Sequence, residues 1–253
     1  MTHADCDLAA SGCGRGRQLL DRWQHEARRV GAPALAAPLV LALGGSAFLV
    51  LMHAVHQPIG RTAGTLLEAV IPLGAAIAVA GLASADPALE LQLSLPTEYR
   101  STLSRRCALT VGCSALVAVA LSSALTALRA WTPGTDAVAG QLTWLAPLLV
   151  LCAVAAAAAA STASAASAVG VVAALWVGEE WFKTALITPT WSQHVYLFAT
   201  ARADQPPYLV RGALTSAWLL NRGALLAVAV GLTVVAWFAL RRTDHLLSHR
   251  ARS

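Results

Sequence analysis

The chain has 253 residues, 57% of them hydrophobic and only 12% charged, with a mean hydropathy of +0.61. Soluble domains carry about a quarter charged residues, so this balance excludes an ordinary soluble domain and points to a single polytopic membrane domain. The net charge of +5 does not indicate nucleic-acid binding, because the arginines flank apolar runs, where anionic lipid headgroups account for them.

Residues 1–31 read as a cytoplasmic tail. They contain no apolar core of a cleavable signal peptide, and Cys6 and Cys13 lack the paired spacing that zinc requires. Within "RGRQLLDRWQHEARRV", Leu20, Trp23, Ala27 and Val30 recur at helical spacing, opposite Arg17, Asp21, Arg22, Gln24, Arg28 and Arg29. That is an amphipathic helix suited to lying in the membrane interface.

Six spans follow, at about 32–55, 65–84, 107–130, 142–160, 163–178 and 223–240. The fourth and fifth are separated without any charge. Residues 142–178 as one helix would reach about 55 Å, against a hydrocarbon core of about 30 Å. The chain must therefore turn, and "STASAAS" at 161–167 is the polar interruption. Residues 179–222 form the longest segment between spans. With Trp181, Trp191, Tyr196, Phe198, Tyr208 and Trp218, they predict short helices dipping into the outer leaflet at headgroup depth. Residues 241–253 form a second cytoplasmic tail. With both termini inside, Arg15, Arg17, Arg22, Arg28, Arg29, Arg100, Arg105, Arg106, Arg241, Arg242, Arg250 and Arg252 are cytoplasmic, twelve of the 18 Lys and Arg residues. This is the positive-inside bias, and it predicts a multi-pass protein of the plasma membrane.

The segment between spans two and three, residues 85–106, raises its own question. In "DPALELQLSLPTEYRSTLSRR", leucines at 89, 91, 93 and 95 alternate with polar residues, as in a half-buried strand. A lone strand at a membrane surface would leave its backbone unpaired. Asp86 is a good N-cap and Pro87 suits the first helical position. Pro96 disfavours helical geometry at Leu95, and Thr97 can cap a second helix that leads into span three. The expectation is therefore a kinked pair of interfacial helices.

This stretch resembles the cytoplasmic loop of type-2 ABC exporter permeases, in which an acidic residue, a leucine-rich turn, "SLP" and an arginine-bearing helix recur. The six-helix all-α topology, the amphipathic N-terminal helix, the long outer segment and the last span "NRGALLAVAVGLTVVAWFALRR" are also similar to that family. The turn between spans four and five lacks the family's usual arginine. The resemblance implies that residues 85–106 form a coupling helix docking on an ATP-hydrolysing subunit, with Glu90, Gln92, Ser94, Leu95, Pro96, Thr97 and Arg100 as contacts. It also implies a second permease subunit, identical or not, with which the path is shared.

ATP and Mg would belong to the partner chain, and no cofactor is expected in this one. A phosphate-cradling loop needs GxxxxGK[ST]. The one lysine, Lys183 in "GEEWFKT", has phenylalanine where the glycine should stand. Glu68, Glu179 and Glu180, near the outer ends of spans two and five, are candidates for a translocation path, because ionisable groups at membrane depth are functional by default. Their alternative role is to reach water at the interface. His53 with His56, and His245 with His249, have helical spacing but no third ligand. A membrane-embedded lipid-modifying enzyme using Glu68, Glu179 or His194, and an ATP-independent channel or sensor, are the alternatives to a permease.

Overall fold

In hydrocarbon a chain must satisfy its own N–H and C=O groups, which confines a single spanning segment to the helix. A computed structural model describes residues 30, 32–56, 59–84, 99–129, 140–187, 191–200, 209–210, 213–214 and 216–250. Those residues are helical apart from one two-residue ladder and the turns between helices, the longest at 195–200. In order come α1 (Ala32–Ala54), α2 (Gly60–Thr65), a π-helical turn (Leu66–Val70), α3 (Ile71–Ser84), α4 (Tyr99–Ala127), α5 (Leu142–Thr162), α6 (Ala165–Trp181) and α7 (Lys183–Ile187). A 3₁₀ turn (Ser192–His194), antiparallel β1 (Leu209–Val210) and β2 (Ala213–Leu214), and α8 (Ser216–Arg250) complete the fold.

Five stretches are long and apolar enough to cross a membrane: Leu35–Ala54, Gly60–Leu82, Ser101–Ala127, Leu142–Thr162 and Ser216–Arg241. Their outward faces carry Val40, Leu43, Val50, Leu116 and Val230, each more than 60% exposed. In water such a surface would drive aggregation; lipid accepts it. The sixth expected span, α6, has 17 residues and so reaches about 25 Å, shorter than the other five. Three expected boundaries are corrected, the third span beginning at Ser101 rather than near residue 107. The second span begins at Gly60 rather than near residue 65, and α8 begins at Ser216, well before residue 223. The N-terminal amphipathic helix, except for a helical, buried Val30, lies outside the described residues. So do residues 85–98, and with them Glu90, Gln92, Ser94, Leu95, Pro96 and Thr97. Arg100 falls in the first turn of α4.

The turn expected at 161–167 is present, and its chemistry explains how an uncharged hairpin closes. Ala163 takes the left-handed conformation (φ 52°) at the end of α5, and its N–H donates to Ala159 O at 2.8 Å. Ser161 and Thr162 donate their hydroxyls back to the carbonyls of Ala157 and Ala158 at 2.7 and 2.8 Å. Ser164 caps α6 by accepting the Ser167 N–H at 3.3 Å. Losing a serine N-cap costs about 1 kcal/mol, whereas glycine at the same place costs a few tenths. Ser164→Ala should therefore lower the stability of the detergent-solubilised protein by about 1 kcal/mol, with Ser164→Gly close to wild type in the same melts.

α5 is the central helix, packed against α3 on one side and α8 on another, with α6 against both α3 and α5. Alanines at 75, 76, 80, 146, 155 and 159 are buried at the contacts, and small residues of this kind let helix backbones approach closely in lipid. α1 packs onto the second span by a reciprocal device: Leu66 lies over Gly45 and Leu41 over Gly74, where a Cβ on either glycine would collide with the leucine.

Candidate functional site

The π-helical turn lies just before Pro72. A proline inside a helix lacks an N–H and crowds the carbonyl four residues earlier, which here belongs to Glu68. The helix widens instead, and the Ile71 N–H donates to Leu66 O, five residues back. Such turns concentrate at functional positions, and this one carries Glu68, whose side chain is fully buried.

What buries Glu68 is the chain between α7 and β1. Residues 196–199 enter the bundle, with Tyr196, Leu197, Phe198 and Ala199 each 2% exposed or less. Phe198 packs edge-on against Trp176 and Tyr196, at centroid distances of 6.4 and 6.3 Å. Residues 197–200 are non-helical. Backbone of that kind is tolerated at membrane depth only where protein satisfies its polar groups.

Four side chains do so over residues 193–200. Glu179 Oε2 accepts the Leu197 N–H at 3.2 Å, and Glu68 Oε1 accepts the Thr200 N–H at 2.8 Å. Asn221 Nδ2 donates to the carbonyls of Gln193 and Tyr196 at 2.7 and 2.9 Å. Arg222 donates from Nη1 to Leu197 O at 3.0 Å, and from Nη2 to Thr200 Oγ1 at 2.8 Å and to Glu68 Oε1 in a fully buried ion pair. One turn earlier on α8, Trp218 donates Nε1 to Thr200 Oγ1 at 2.9 Å, and its ring lies 5.3 Å from the Arg222 guanidinium carbon. This charge-assisted network joins the π turn, α6 and α8 through the loop between them.

Glu68 and Glu179 thus come together around one loop, while Glu180 does not. It is half-buried and lies 3.9 Å from Lys183, one turn along on α7. The idea that Glu68 reaches water at the interface is corrected, because its side chain is fully buried. Arg222 and Asn221 were missed as site residues. Their signal was a consecutive amide and guanidinium opening the last apolar run, and an ionisable residue so placed marks a site by default. Trp181 and Trp191, exposed at 81% and 72%, occupy this same end of the bundle, where an aromatic belt belongs. Among the described residues no group of three or more His, Cys, Asp or Glu is placed to hold a metal ion. No family model, no curated protein and no solved structure matches the chain.

Proposed function

We propose that the chain is the membrane-spanning permease subunit of an ATP-driven ABC exporter, working with a second permease subunit and with separate ATPase subunits in the plasma membrane, both termini cytoplasmic. α6 then serves as the sixth span, and residues 85–106 are the contact with the motor, through Glu90, Gln92, Ser94, Leu95, Pro96, Thr97 and Arg100. ATP and Mg are held by the partner.

The observation that carries this reading is the clamp at the far end from that loop. α2, the π turn and α3 run as one rod from Gly60 to Ser84, directly before the loop. The rod's other end is tied through Glu68 to Arg222 on α8 and, through residues 197–200, to Glu179 on α6. A push at the loop therefore reaches three spans as one displacement. The middle of the bundle is filled by Ala75, Ala76, Leu148, Leu151 and Ala155, all fully buried. A packed core of this kind favours a path between two permease subunits over one through a single chain. In the proposed cycle, ATP-driven closure of the ATPase pair displaces the loop, the tied spans shift together, and the inter-subunit path opens outward. The lipid-modifying enzyme draws less support, because Glu68 and Glu179 already spend carboxylate oxygens on backbone N–H groups.

Recovery of the tagged chain from its own cells in mild detergent tests the reading. An ABC ATPase should co-purify in stoichiometric amount, and its hydrolysis should respond to reconstitution with the chain. Recovery without any ATPase, together with the absence of an ATPase gene beside this one, would overturn it.

A further inference from the structure

At the end of the bundle opposite the clamp, a cavity of about 260 Å³ opens between α3, α4, α5 and α8. Its floor is buried and apolar, formed by Val79, Leu103, Cys152 and Ala153. Its rim is exposed, with Ser104 and Ala108 on α4 facing Thr233 and Trp237 on α8. The opening therefore faces sideways, between two helices whose outer surfaces are lipid-facing.

The geometry points to a binding site for one acyl chain of an anionic phospholipid, whose headgroup lies against Arg105 and Arg241. Three observations select that occupant. Among the described residues, the hydroxyls at the rim are already committed, Ser104 Oγ to Ser101 O at 2.9 Å and Thr233 Oγ1 to Ala229 O at 2.7 Å. A polar ligand would find few partners there. The volume matches roughly nine groups of the ~30 Å³ that a water molecule occupies, which suits a run of methylenes and not a helix, whose diameter with side chains is about 10–12 Å. An apolar opening offers water few hydrogen-bond partners, and the bilayer beside it supplies hydrocarbon. Arg105 and Arg241 directly follow the lining residues Ser104 and Leu240, and both are exposed. They offer a phosphate-binding position at headgroup level, in the leaflet that the proposed topology makes cytoplasmic, where anionic lipids concentrate. This inference takes its leaflet from the proposed topology and does not require the transport reading.

The test uses the full chain in nanodiscs of phosphatidylcholine doped with phosphatidylglycerol that carries a diazirine in mid-chain. After photolysis, adducts are mapped by mass spectrometry. They should concentrate on residues 149–156 and 233–240. Ala108→Trp closes the mouth from an exposed position. If it excludes two methylenes, at about fourfold in affinity each, adducts there should fall by about 15-fold. Thr233→Trp closes the opposite rim and provides a second reading if the first variant does not fold. A diazirine phosphatidylcholine of the same chain should label more weakly, and Arg105→Gln with Arg241→Gln should erase the difference between the two headgroups. Labelling spread evenly over the outward faces of α1, α4 and α8, adducts unchanged by both tryptophan variants, or cross-links from the cavity to a second copy of the chain would each overturn the proposal.

Discussion

Replacing Arg222 by methionine is expected to destabilise the protein by about 3–5 kcal/mol, because it strands the fully buried Glu68 carboxylate without its cation. In a chain of this size each kcal/mol corresponds to about 2–4 °C, so the melting temperature in detergent should fall by on the order of 10 °C. Glu68→Gln alone should also destabilise, since Arg222 then loses its counter-charge. The double variant should be more stable than the sum of the single effects predicts, by at least about 1 kcal/mol, because two groups in one network couple. It should not return to wild type, because Leu197 O would still lack its guanidinium partner and the Thr200 N–H would keep only an amide oxygen in place of a carboxylate. A local readout separates this from general unfolding. Tyr196 and Phe198 are fully buried chymotrypsin sites, and in the single variants cleavage there should appear well below the melting temperature. Strictly additive stabilities, with residues 196–198 still protected, would show that the ion pair does not hold the loop.

The second large effect is functional. Glu90→Ala combined with Pro96→Ala should reduce ATP-dependent transport by about tenfold or more, since the loss of one charge-assisted hydrogen bond is worth about 1.5–3 kcal/mol and each 1.4 kcal/mol is tenfold. Membrane insertion and the melting temperature should stay at wild-type values if the loop serves coupling alone. Proteoliposomes containing the ATPase partner provide the measurement. Undiminished transport would remove the loop from the coupling role, while a lowered melting temperature would assign it a structural one.

In the same loop two local signals compete. Its leucine alternation has the period of a strand, yet hydrocarbon and its interface penalise an unpaired strand more than they reward alternation. The helical expectation there rests on its prolines and capping residues. Polar side chains located the turn at 161–167, where serines and a threonine close an uncharged hairpin by hydrogen bonding. Span ends were less legible. α8 begins earlier than its apolar run because Trp218, Asn221 and Arg222 look like loop residues until their partners are known.

The amino-acid sequence by itself determined that the chain is helical and of membrane-spanning length in at least five places, since run length and composition are local quantities set against the thickness of a bilayer. Arg105, Arg106 and Arg241 likewise stand beside apolar runs in the sequence. Only the tertiary structure decided what the charged residues of the clamp do. Glu68 and Arg222 are 154 positions apart, and neither composition nor periodicity encodes a pairing across that distance. The physical reason is burial. A carboxylate near the end of a span can reach water or be sealed inside, and the choice rests on whether an irregular loop folds over it and needs its oxygens. Here the loop does, which turns a candidate for the path into part of the clamp.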